Sequence, residues 1–156
     1  MLKRLKIKTE MAKIVPIASD HAGFQLKEEV KLYLQSKGFE VQDFGCFSDE
    51  SVDYPDFIHP IADQIDKGNY EFGFIMCGSG NGVSMVANKY PHVRCALCWN
   101  TEISELAKKH NNANIIALPA RFISVDEAKN IIDSYLNTQF EGGRHQRRID
   151  KIPIAK

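Results

Sequence analysis

Apolar residues along this chain follow two alternating patterns. Residues 14–18, 39–44, 72–76, 93–98 and 115–118 form short runs that are apolar at most positions. Runs of that length, unbroken by polar alternation, predict strands buried on both faces, as in a parallel sheet covered by helices. Between them the apolar positions recur at helical spacing. Leu26, Val30, Tyr33 and Leu34 share one face of 23–37, and Gly38 follows as a stop signal. Ile58, Ile61, Ala62 and Ile65 repeat the pattern over 55–66, where Pro60 predicts a kink or a late start. Beyond Thr101, one face carries Ile103, Leu106, Ala107 and His110. Beyond Ser124 it carries Ala128, Ile131, Ile132, Tyr135 and Leu136, with Ser124 and Glu127 spaced as a capping box.

Five strands alternating with helices predict an α/β fold, a five-stranded parallel sheet with helices on both faces. Pro16 fits poorly, because proline donates no ladder bond from an interior strand. No internal repeat, linker or low-complexity tract divides the chain, so residues 13–150 are expected to form one domain and 151–156 a short tail. Residues 1–12 begin polar and lysine-rich and are expected to be a disordered lead-in, with Met11 as an alternative start.

Composition narrows the function classes. The 156 residues are 44% hydrophobic and 26% charged, ordinary for a globular protein. Twenty basic residues balance twenty acidic ones. No global field draws in nucleic acid or an anionic membrane, and little repulsion opposes self-association. Neither a membrane span nor a secretory signal is visible, which points to the cytoplasm and to reduced thiols at Cys46, Cys77, Cys95 and Cys98. Cys95 and Cys98 form a C-x-x-C inside an apolar run. With no partner pair at zinc spacing, it reads first as part of a buried strand.

In open parallel sheets, ligands bind beyond the carboxyl ends of the strands. Those ends carry Ser19-Asp20-His21, Cys77-Gly78-Ser79-Gly80-Asn81-Gly82, Trp99-Asn100-Thr101 and Pro119-Ala120-Arg121. The glycine loop at 78–82 lets backbone amides approach an anion ahead of a helix, although a plain turn would look the same. It is neither a dinucleotide fingerprint, since Val83 stands where a third glycine belongs, nor a P-loop. Cys77 reads as a nucleophile, a proton acceptor or a buried strand end. Asp20 reads as a ligand contact or a helix cap, and His21 as an anion contact or a bystander. His110 closes a helix, where it packs in the core or donates a proton. In Gly142-Gly143-Arg144-His145-Gln146-Arg147-Arg148, a helix would turn Arg144 and Arg148 to one side. That suits a phosphate, whereas the stretch lacks the aromatic platform of a nucleic-acid site.

Taken together, these motifs resemble the family of ribose-5-phosphate isomerase type B and the galactose-6-phosphate isomerase subunits. The resemblance spans 13–150. It rests on Ser19-Asp20-His21-Ala22-Gly23, Asp53-Tyr54-Pro55-Asp56, the 77–82 loop with Ala87-Asn88-Lys89, and His110-Asn111-Asn112-Ala113-Asn114. Arg121 and the segment from Glu141 to Arg148 complete it. It implies a Rossmann-like three-layer fold, no metal or organic cofactor, and a homodimer or dimer of dimers with shared sites.

The activity it implies is interconversion of ribose 5-phosphate and ribulose 5-phosphate in the non-oxidative pentose phosphate pathway. Cys77 matches the proton acceptor and His110 the ring-opening donor. Gly78, Ser79, Gly80, Asn81 and Gly82 match the anion hole; Asp20, His21 and Asn111 match substrate contacts. Arg121, Arg144 and Arg148 match phosphate contacts. Val83 stands where cysteine-free members carry glutamate, so this chain resembles the cysteine-dependent branch. Three rivals remain: an isomerase of a six-carbon phosphate, a non-catalytic sugar-phosphate-binding module, and a thiol redox protein using Cys95 and Cys98.

Overall fold

The structure is a computed structural model that describes residues 12–155. The lead-in expected over residues 1–12 therefore lies almost wholly outside the described residues. Five strands appear: β1 (Ile14–Ser19), β2 (Glu40–Asp43), β3 (Gly73–Cys77), β4 (Cys95–Leu97) and β5 (Ile115–Pro119). They form one all-parallel sheet in the order β2-β1-β3-β5-β4. Helices α1 (Phe24–Ser36), α2 (Tyr54–Asp66), α3 (Asn81–Ala87), α4 (Thr101–Asn111), α5 (Val125–Leu136) and α6 (Arg144–Ile149) complete it.

Strand alternation sorts the side chains into two cores. Phe74, Met76, Ile116 and Leu118 face α1, α4 and α5, meeting Leu26, Val30, Ala107, Ile131 and Ile132. Ile75, Cys77, Ile115 and Ala117 face α2 and α3, meeting Ile58, Ile61, Val83 and Ala87. The result is the three-layer, Rossmann-like arrangement. Among the described residues, no helix is long and apolar enough to cross a membrane.

The helix signals act locally as expected. Ser124 Oγ accepts the Glu127 amide and Glu127 returns a carboxylate to the Ser124 amide, so the capping box is complete. Asn100 caps α4 by accepting the Ile103 amide. Pro60 does not delay α2, which starts at Tyr54, with Pro55 in its first turn, and runs through Pro60. The irregularity at Pro16 has a local cause. The β1–β3 ladder begins only at Ile17 opposite Phe74, so no ladder bond is missed. Opposite the proline stands Gly73, where a Cβ would lie 2.9 Å from the Pro16 carbonyl oxygen.

Strand β4 is shorter than its apolar run. It is an edge strand, paired with β5 alone. The Asn88 side chain takes both polar groups of Cys95, accepting its N–H at 2.8 Å and donating to its carbonyl at 3.0 Å. A side chain thus occupies a position where another strand could add.

Candidate active site

The chain order places a crevice in the sheet. After β1 it moves outward to β2, then crosses back to lay β3 on the other side of β1. Loops leaving the carboxyl ends of β1 and β3 therefore diverge, and an opening forms between them. A cavity of about 500 Å³ lies there, lined by Asp20, His21, Tyr54, Cys77, Gly78, Ser79, Gly82, Arg121 and Phe122, among others.

Each side chain is held by its element. Cys77 is the last residue of β3, and its Sγ accepts the Gly80 amide at 3.1 Å. That bond requires the turn at Gly80, whose φ of +77° belongs to the left-handed region; a Cβ there would also sit 2.3 Å from Leu97. The Asn81 amide donates to Ser79 Oγ. Two amides of the glycine loop are thus already engaged, so the loop is a turn wrapped on the sulfur as well as a candidate hole. Arg121 is tied to the same loop, its amide donating to the Gly78 carbonyl at 3.0 Å. Its guanidinium lies over Gly78, where a Cβ would come within 3.2 Å.

Asp20 is buried, and its Oδ1 accepts the Gly23 amide at 3.0 Å, holding the turn into α1. It both braces that turn and lines the cavity. His21 receives the Val52 amide on Nδ1 at 3.1 Å. With Nδ1 accepting, Nε2 is the ring's one donor toward a ligand. Tyr54 and Phe122 were not singled out as site residues from sequence. Tyr54 belongs to the Asp53-Tyr54-Pro55-Asp56 motif and lies over Gly82, where a Cβ would meet its ring at 2.7 Å. Phe122 is 75% exposed, and no sequence signal marked it.

The remaining candidates lie elsewhere. His110, Asn111 and Arg148 line a second cavity of about 390 Å³ with His145, Ile149 and Ile152, sharing no residue with the first. Topology separates them. Helix α4 leaves the carboxyl edge of β4 and returns toward the start of β5, so His110 in its last turn sits at the amino edge. Cys77 pairs with Pro119 at the opposite end of β5. The length of a five-residue strand, on the order of 15 Å, separates the two edges. Helix α6 packs on α4 and brings Arg144 and Arg148 to His110's side. Asn112, Ala113 and Asn114 instead shape the exit from α4. Asn112 takes the left-handed conformation, the Ala113 amide donates to the Ala107 carbonyl, and Asn114 accepts the Arg94 amide.

Burial pushes the thiols of Cys95 and Cys98 up to about 12, each also raised or relieved slightly by neighbours. Raised thiols of this kind are poor nucleophiles at neutral pH, which disfavours thiol redox chemistry at that pair.

Against known proteins, residues 15–152 match the family model described as Ribose/Galactose Isomerase. The chain is 45% identical over 138 residues to a probable ribose-5-phosphate isomerase B of Mycoplasma genitalium, covering 87% of this chain and 91% of that protein. It is 37% identical over 140 residues to ribose-5-phosphate isomerase B of Escherichia coli, covering 90% and 94%. Among solved structures, a ribose 5-phosphate isomerase of Thermotoga maritima superposes with a TM-score of 0.88 at 50% identity, covering 92% and 99% of the two chains. The Mycoplasma genitalium ribose-5-phosphate isomerase B with bound ribulose-5-phosphate gives 0.86 at 43% identity, covering 92% and 95%.

Proposed function

The chain belongs to the ribose/galactose isomerase family, and from that premise we propose that it interconverts ribose 5-phosphate and ribulose 5-phosphate at sites shared by two copies. The observation that carries this reading is the crevice at the ends of β1 and β3. It joins a cysteine sulfur, a carboxylate, a single-donor imidazole and a guanidinium in one cavity. The reaction needs a base beside C1 and C2 and donors for an enediolate oxygen, and these groups are of the right kinds.

In the proposed reaction, the sugar arrives as a furanose and His110 assists the opening of the ring by proton transfer at the ring oxygen. The Cys77 thiolate takes the proton from C2 of the aldose and returns it to C1. In between, the negative oxygen of the enediolate meets amides of the 78–82 loop, donors that are in place before charge develops. Asp20, His21 and Asn111 hold the sugar hydroxyls. Arg121, Arg144 and Arg148 hold the phosphate, whose binding energy orients the reacting carbons.

One chain alone cannot perform this. A pentose phosphate is too short to bridge from Cys77 at one edge of the sheet to His110 at the other. A second copy, docked so that its α4 and α6 close the crevice of the first, supplies His110, Asn111, Arg144 and Arg148 to Cys77. Symmetry then builds two equivalent sites.

The test is to incubate the protein with ribose 5-phosphate in heavy water and follow the sugar by proton NMR. Ribulose 5-phosphate with deuterium partly incorporated at C1, where the proton on Cys77 exchanges with solvent before its return, is the expected result. Conversion of galactose 6-phosphate or allose 6-phosphate instead would move the assignment to a six-carbon substrate. Silence on all three would favour a binding module.

A further inference from the structure

One buried titratable side chain is left without a task by this reaction. His145 has a side chain 7% exposed. Its Nε2 is out of contact with solvent and has no hydrogen-bond partner. Its ring lies face to face with that of His110, centroids 4.3 Å apart and planes 12° from parallel. The Glu141 carboxylate stands 3.9 Å from His110 Nε2 and 3.7 Å from His145 Nε2. Both distances are too long for hydrogen bonds.

Two imidazoles and a carboxylate with ligand atoms within 4.8 Å of one another invite a metal. The ring planes argue against one. A metal binds an imidazole nitrogen along its lone pair, which lies in the plane of the ring. Rings stacked nearly parallel aim their lone pairs side by side and not at a common point. Arg144 and Arg148, on the helix that carries His145, add positive charge nearby. The arrangement is a stack, not a ligand set.

We infer that His145 is a positioning residue for His110: its anchored ring sets the plane of the His110 imidazole and so the direction in which that ring presents its proton to the sugar. The inference rests on the ring-opening role proposed above. Among the described residues, no hydrogen bond fixes the His110 ring, which is 37% exposed at the end of a helix. Without a neighbour it would be free to turn. His145, by contrast, is anchored. It is buried on α6, and the segment entering that helix is tied to α4 next to His110, where the Glu141 amide donates to the Lys109 carbonyl at 3.0 Å.

The partner ring must also stay uncharged while His110 exchanges its proton, because two imidazolium rings face to face repel. Burial, with His110, Arg144 and Arg148 close by, holds the His145 imidazole below its usual range against the opposing pull of Glu141.

The test compares His145→Ala and His145→Phe in the full chain, with thermal melting as a check on folding. Phenylalanine keeps a flat ring and lacks only nitrogens, one of which is unpartnered. Three readouts are used: the His110 ring-proton shift by NMR, kcat for ribose 5-phosphate, and exchange of the C1 proton of ribulose 5-phosphate with solvent. The exchange reports the Cys77 step without ring opening. In His145→Ala, the His110 resonance should lose its ring-current shielding and kcat should fall about 10- to 100-fold, the scale of a small misplacement of a reacting group. Exchange should remain near wild type, and His145→Phe should restore the shielding and most of kcat.

A folded His145→Ala that turns over like wild type would overturn the inference. So would a folded His145→Phe as slow as the alanine variant, since the nitrogen and not the ring plane would then matter. A wild-type chain that neither converts nor exchanges carries a different signature, and overturns the isomerase assignment together with this inference.

Discussion

In the proposed reaction Cys77 and His110 divide the chemistry, so that each can be removed by itself. Cys77 is buried at the strand end with the Gly80 amide on its sulfur. Replacing it with alanine deletes one atom from a well-supported position. Cys77→Ala should fold and melt much as the wild type does, yet lose both conversion of ribose 5-phosphate and C1 exchange of ribulose 5-phosphate; turnover near normal would disprove its role as base. His110→Ala should split those readouts, losing conversion of the cyclic aldose while exchange persists. Equal losses in both would contradict a ring-opening role. His21 makes a subtler claim, because the Val52 amide on Nδ1 dictates the Nε2–H tautomer. A nitrogen NMR spectrum with the proton on Nδ1 would refute that geometry.

At the scale of elements, the site depends on how closely α1 approaches the sheet. A Cβ at Gly23 would lie 2.6 Å from the Met76 carbonyl oxygen, one residue before Cys77. Gly23→Ala should therefore push α1 off β3 and destabilise the fold by about 1–3 kcal/mol, the usual cost of overpacking, readable as a lowered urea midpoint. On its other side α1 is pinned by Lys27, fully buried and paired with Asp43 at the end of β2. Burial alone would raise the Asp43 carboxyl, but hydrogen bonds from Lys27, the Gly45 amide and Lys31 outweigh it and hold it below the usual carboxylate range. A carboxyl lowered by folding adds stability above its unfolded pKa of about 3.9 and loses it as pH falls through the lower folded value. Stability should thus drop below about pH 4, and Asp43→Asn should flatten that part of the curve; an unchanged slope would mean that the cluster is not coupled to folding.

For the whole molecule the decisive fact is that Cys77 and His110 lie at opposite edges of one sheet. Mixing Cys77→Ala with His110→Ala, each inactive in conversion alone, should restore activity if two copies share each site. In randomly mixed dimers half are hybrids, each hybrid has one intact site of two, and recovery should approach roughly a quarter of wild type. No recovery after subunit exchange would rule out shared sites. With sites shared as proposed, activity should also depend on concentration wherever the pair dissociates.

Much of this was written in the sequence. Strand and helix periodicities placed β1, β3, β5, α1, α4 and α5 to within a residue or two, because burial on a fixed face imposes a fixed spacing. The Ser124–Glu127 box and the position of Cys77 at a strand end were equally local, since a cap and a glycine turn depend only on neighbours along the chain. Other features depended on contacts between distant residues. The strand order, which opens the crevice between β1 and β3, follows from how crossovers pack. So does the shortening of β4, whose edge is closed by Asn88. Tyr54 and Phe122 joined the cavity, and His145 stacked on His110, only when separate elements were brought together. The family resemblance offered Cys77 and His110 as a chemical pair, but their spacing along the chain carried no information about distance. Only the parallel sheet, with β5 running its full length between them, set the two at opposite edges, so that in the proposed reaction they meet only through a second copy.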